Sequence, residues 1–116
     1  MKPTADAPTI SIAKDFSTTP GGRSYADGPF PGEKFRVENL LPALRANKLV
    51  VVDFTGIEGC GSSFLEEAFG GLVRDHDYTR DELKQRLRLT PEKSSYAADA
   101  WGYVDEAAEV AAADGR

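Results

Sequence analysis

A small α/β layered domain, with at least part of its sheet parallel, is the fold class that this sequence predicts. Three observations support that prediction. Residues 49–54, LVVVDF, form an apolar, β-branched run without polar alternation, as expected of a central strand covered on both sides. Phe64, Leu65, Ala68, Phe69, Leu72 and Val73 then recur at i, i+1, i+4, i+5, i+8 and i+9, which is a helical stripe. The other elements alternate around these two in the order β, loop, α, β, α, α, β, α.

The first strand is expected over residues 9–13, TISIA, where Ile10 and Ile12 alternate with polar neighbours. Residues 1–8 are polar with two prolines and read as a loose tail, leaving 9–112 as one domain. The stretch TTPGGRSYADGPFPGE holds too many turn formers for a long helix or a central strand, and leaves room for a short hairpin around Arg23 to Tyr25. A loop of this length in a compact domain is usually functional. From Glu33 to Ala46 the pattern turns helical, with Phe35, Leu40, Leu41 and Leu44 apolar. Pro42 predicts a kink there, or two short helices end to end.

The stripe helix is expected over residues 63–75, with Ser63 and Glu66 in the S-x-x-E spacing of a capping box. Thr79 and Glu82 repeat that spacing for a short helix ending near Gln85. RLRL at 86–89 alternates as a short strand, closed by Pro91. The last helix is expected over residues 95–112, burying Ala97, Trp101, Val104, Ala108 and Ala111.

The chain has 116 residues, enough for one modest core. Its net charge of -5 argues against a nucleic-acid partner. Arg80, Lys84, Arg86, Arg88 and Lys93 interleave with Asp81, Glu82 and Glu92, which is a solvated face. The single cysteine, Cys60, excludes an internal disulfide and a cysteine metal cluster. No apolar run approaches the roughly 18 residues of a membrane span, and MKPTADAPT lacks the apolar segment of a secretory signal. A cytoplasmic protein without membrane partner, cofactor or metal is the default expectation.

Residues 50–69, VVVDFTGIEGCGSSFLEEAF, look at first like a phosphate-binding loop. Gly56, Gly61, Ser62 and Ser63 fit G-x-x-x-x-G-x-S between a strand and a helix. Ser62 occupies the position of the phosphate-binding lysine, and Glu58 adds a repelling charge, so nucleotide binding is not expected. The dinucleotide pattern fails too, because Phe64 takes the place of its third glycine. Cys60 as a nucleophile needs a base, and His76 lies past the far end of the same helix, about 20 Å away. A small packing residue is the simpler reading of Cys60. Asp15 and Asp53 each end an expected strand and suit a metal or acid–base pair, but aspartates there more often close turns. A hydrolase or metal enzyme using Asp15, Asp53 and Cys60 therefore ranks last.

The same run resembles the core motif of STAS domains, the fold of anti-sigma-factor antagonists. In that motif a strand ends in an acid, a small hydroxyl residue and a glycine follow, and a loop leads to paired hydroxyls at a helix start. Here Asp53, Thr55 and Gly56 take the strand-end positions, and Ser62 and Ser63 take the hydroxyl positions. Gly61 stands where the family carries an acid, and Cys60 stands for a bulkier apolar residue. With DFSTTPGGR, DGPFPGEKFR and LLPAL, the resemblance extends over residues 10–90 to a STAS-like bacterial family without established function. It implies a small STAS-like α/β domain with a mixed sheet of about four strands and helices packed against it.

The resemblance also implies a non-catalytic regulatory module. In STAS antagonists the first serine, matched here by Ser62, is phosphorylated by a histidine-kinase-like ATPase, and the phosphate breaks that partner's contact. Ser63 is the second candidate; the alternative is that both serines serve only as helix-start residues. The expected partner surface comprises Glu58, Gly61, Ser62, Glu67 and Arg23. A different reading is a small anionic-ligand site built from Gly21, Gly22, Arg23, Lys34 and Arg36 with the helix N-terminus.

Overall fold

The computed structural model describes residues 7–115. Residues 1–6 of the expected tail lie outside these, while Pro8 already joins the sheet, its carbonyl accepting from the Val51 N–H at 2.9 Å. The elements are β1 (Thr9–Ser11), α1 (Ile12–Asp15), a 3-10 turn (Tyr25–Asp27), α2 over residues 32–46, β2 (Val50–Asp53), α3 over residues 62–76, α4 (Arg80–Arg86), β3 (Leu87–Thr90) and α5 (Ser95–Ala113). The strands lie in the order β1-β2-β3, and both pairings are parallel.

The sheet among the described residues thus has three strands rather than about four, and it is parallel rather than mixed. The amides near Arg23 explain the difference. Both the Arg23 and Ser24 N–H groups donate to the Asp27 carboxylate, at 3.0 and 2.9 Å, which winds a turn where a hairpin was expected. The first strand also stops early. Ser11 caps α1 by accepting the Lys14 N–H at 3.1 Å, and its own N–H donates to Asp15 at 2.8 Å. Ile12 is therefore buried from a helix, not a strand.

Register decides which face of the sheet is covered. Ile10, Val52 and Leu89 stand in one row and are buried, as are Val50 and Leu87. Thr9, Val51 and Arg88 form the opposite row, where Thr9 and Arg88 are exposed and Val51 is half-buried. The expectation of a β2 covered on both sides is corrected accordingly. Parallel sheets are usually sandwiched between helices; here the polar residues Thr9, Ser11, Arg88 and Thr90 suit the second face to water.

Residues 32–46 run as helical segments set end to end, and Pro42 stands in the first turn of the last of them, Leu41–Ala46. Residues 35–40 form a π-helical stretch, in which the Leu41 N–H donates to the Arg36 carbonyl five residues back. The wider turn admits Pro42, which has no N–H to donate, at the start of the next α-helical segment. The capping box read at Thr79 is present: the Thr79 hydroxyl accepts from the Glu82 N–H at 3.1 Å, and Glu82 accepts from the Thr79 N–H at 2.9 Å. Ser94 caps α5, which buries Ala97, Ala100, Val104 and Ala107, while Trp101, Ala108 and Ala111 are half-buried.

An aromatic chain ties the long loop to the core. Phe16 meets Phe30 and Phe35 edge-on at 5.3 Å each and Phe64 at 5.9 Å. Phe69 continues it to Phe54 at 6.0 Å, and Phe54 reaches Tyr96 at the start of α5. Phe16 and Phe30 are half-buried, and these ring contacts with the buried Phe35 and Phe64 anchor the loop although it lacks long elements.

Candidate functional site

The loops that follow the strands gather at the carboxyl ends of β1, β2 and β3, beyond Ser11, Asp53 and Thr90. This is where open parallel sheets place their sites. Asp53 organises the end of β2. Its Oδ1 accepts from the Thr55 N–H at 3.1 Å, the Thr55 hydroxyl at 2.9 Å and the Thr90 hydroxyl at 3.2 Å. Asp53 and Asp15 thus both close turns, and among the described residues no three His, Cys, Asp or Glu side chains are placed to hold a metal ion. Gly56 has φ +91°, a conformation that glycine adopts freely. The Glu58 N–H then donates to the Thr18 carbonyl at 2.7 Å, bracing this loop against the start of the glycine-rich one.

Gly61 is the N-cap of α3, and no side chain caps that end. The expected Ser63–Glu66 box is therefore absent. Glu66 is drawn away by two arginines: Arg23 donates to it at 2.5 Å and Arg74 at 2.7 Å. The hydroxyls of both Ser62 and Ser63 are left without a hydrogen-bond partner among the described residues. Exposure separates them: Gly61 and Ser62 are exposed, and Ser63 is half-buried. Glu58 is exposed as well.

Of the other expected site residues, Arg23, Glu67 and Arg36 belong to an ion-pair network over α3. Glu66 and Glu67 stand one turn after Ser62 and Ser63 on the same helix face. Arg23 reaches both, at 2.5 and 3.9 Å, and holds the glycine-rich loop down. Burial would raise the Glu66 pKa, but the hydrogen bonds from Arg74 and Arg23 outweigh it and hold the carboxyl below its ordinary range. Glu67 also receives Arg36 at 3.0 Å and Arg74 at 3.5 Å.

Arg36 corrects the anion-pocket expectation. Its side chain is only 4% exposed, so it cannot meet a dissolved anion. Its guanidinium donates to the Glu67 carboxylate and carbonyl and to His76 Nε2, and it lies 3.6 Å from Asp75. Gly71 makes this possible, since a Cβ there would overlap the guanidinium. Lys34 is turned elsewhere, toward the Pro29 carbonyl and the Phe30 ring. Gly21 and Gly22 shape the loop: the Gly21 N–H donates to Phe30 and the Gly22 carbonyl accepts from Gly32. Sequence reasoning missed Arg36, Arg74 and His76 as a clamp. The signal was Gly70-Gly71 inside a helical stripe, where two poor helix formers mark close approach of another group.

Residues 31–96 match a family model described as a STAS-like domain of unknown function. The chain belongs to this family. The match spans α2, β2, α3, α4 and β3, and so takes in the Asp53–Ser63 junction. β1 and most of the glycine-rich loop precede the matched residues of this STAS-like chain. No curated protein and no solved structure matches it.

Two titrations in the STAS-like domain give measurable expectations. Burial pushes the Cys60 thiol up to about 12, which removes its thiolate near neutral pH. Alkylation by iodoacetamide at pH 8 should be at least about ten-fold slower than for glutathione; a rate equal to glutathione's would contradict the burial. His76 is shifted the other way from a buried acid. Desolvation, and then the neighbouring Arg36, lower its pKa below the ordinary value. The unfolded chain therefore takes up that proton at higher pH than the folded one. His76 stabilises the fold above its unfolded pKa, and that contribution is lost as pH falls through the folded pKa. Urea midpoints should fall between about pH 7 and 5, and His76→Gln, which keeps an acceptor for Arg36, should flatten the slope. Equal slopes in both proteins would count against this role.

Among the described residues no helix is long and apolar enough to cross a membrane.

Proposed function

We propose that this STAS-like domain is a non-catalytic regulatory module that docks a protein partner through the loop before α3 and the first turn of that helix. Ser62 is its switch. The observation that supports this reading is the state of Ser62: it is exposed at the first helical position, and its hydroxyl has no hydrogen-bond partner among the described residues, whereas the equally unpartnered Ser63 is half-buried. Glu58 and Gly61 flank it on the exposed side, and Arg23 with Glu67 forms the neighbouring ridge.

A partner kinase transfers the γ-phosphoryl group of a nucleoside triphosphate to Ser62 Oγ; the nucleoside diphosphate leaves and the hydroxyl proton is released. The added charge of about -1.5 to -2 sits at a helix start, where free amides tolerate it, while any surface docked there meets a bulky dianion. Intact mass of the protein recovered from its own cells in several growth states tests the switch. A fraction heavier by one phosphate, absent in Ser62→Ala, is the expected result. No such fraction in any state, or one that persists in Ser62→Ala, would contradict it.

A further inference from the structure

Tyr25, Val37 and Val110 are the large apolar side chains left exposed among the described residues, at 49%, 42% and 57%. Two of them belong to one patch. The Tyr25 N–H donates to Glu33 at 3.4 Å, and its hydroxyl donates to Glu38 at 3.0 Å. The tyrosine therefore reaches along α2 from residue 33 to residue 38, the stretch of helix that also carries exposed Val37. Its loop is framed as well: the Glu33 N–H donates to the Arg23 carbonyl and the Gly32 N–H to Gly22, both at 2.9 Å. An aromatic ring held in place at both ends, and still half open to water, loses little entropy when a partner covers it.

Charge narrows the partner. Neither Glu33 nor Glu38 has a cationic partner among the described residues, whereas Glu66 and Glu67 are each met by arginines. Lys34, the nearest lysine in sequence, is occupied with Pro29 and Phe30. The patch is thus apolar at its centre and uncompensated negative at its rim, on a chain of net charge -5. We propose that Tyr25, Val37, Glu33 and Glu38 form a docking face for a basic segment of a partner protein, whose Lys or Arg groups meet the two carboxylates and whose apolar side chain covers the ring. A cation over the tyrosine face adds to such a contact, and a polyanion is repelled.

The face does not depend on Ser62, so it is tested on the unmodified chain, and its failure would leave the switch untouched. A random peptide display library is selected on the immobilised protein. Enriched sequences should carry at least two basic residues beside an apolar one. Their affinity should drop at least about ten-fold in Tyr25→Ala and in the double variant Glu33→Gln, Glu38→Gln, which keeps the hydrogen-bond acceptors and so the loop. Val110→Ser should bind as the unaltered chain does. No enrichment, enriched peptides without basic residues, or equal binding by the double variant would overturn the proposal.

Discussion

Arg36→Ala should lower the free energy of unfolding by about 3–5 kcal/mol, the usual effect of removing one partner from a buried ion pair. The guanidinium that is lost bridges α2 to three groups of α3: the Glu67 carboxylate, the Glu67 carbonyl and His76 Nε2. Its removal leaves the carbonyl and the imidazole nitrogen without their donor, and a hole against Gly71. Glu67 is partly rescued, because Arg74 and Arg23 remain at 3.5 and 3.9 Å. Arg36→Lys should recover only part of the loss, since an ammonium cannot reproduce the planar fork. Urea unfolding would show the midpoint falling with the slope unchanged. A loss under about 1 kcal/mol would mean that the clamp is a surface-type pair of little consequence.

Gly32→Ala should also destabilise, by about 1–3 kcal/mol, although alanine is the better helix former by about 1 kcal/mol. A Cβ at this position would stand 2.6 Å from the Phe64 carbonyl oxygen and 2.9 Å from the Ala68 nitrogen. Both are backbone atoms of α3 and cannot turn aside. The first turn of α2 would have to lift from α3 between Phe64 and Ala68, just after the Ser62–Ser63 start of that helix. Thermal unfolding measures the outcome. A higher melting temperature would show that the two helices are not in such close approach.

These two positions also show where sequence reasoning reached its limit. The stripe from Phe64 to Val73, the run at β2 and the cap at Thr79 depend on periodicity and local hydrogen bonding, so they were legible residue by residue. Arg36 and Gly32 depend on what faces them across an interface. From the sequence Arg36 suited an anion site, and only Gly70-Gly71 hinted that a neighbouring helix meets it. The Ser63–Glu66 box failed for a related reason. A local pairing worth about 1 kcal/mol yields to two arginines, Arg23 and Arg74, that arrive from elsewhere in the chain and from later in the helix.

The strand count failed differently. Turn formers around Arg23 and Tyr25 are compatible with a hairpin or with a 3-10 turn, and the Asp27 carboxylate that selects the turn competes for backbone amides in a way that composition does not reveal. The strand-to-helix junction at Asp53–Ser63 was legible because strand, turn and helix start are all local. Its exposed Ser62 stands where the motif places it. Exposure now separates Ser62 from Ser63, which the sequence left as a second candidate beside it.

The docking role proposed for the Ser62 end of this STAS-like domain requires that phosphate there end the contact with a partner. The most direct measurement is quantitative affinity capture from extracts of the cells that make the protein, with the chain carrying either serine or phosphoserine at position 62 as bait. At least one protein should be enriched on the serine form and lost from the phosphoserine form. The same set of captured proteins on both baits would contradict the claim.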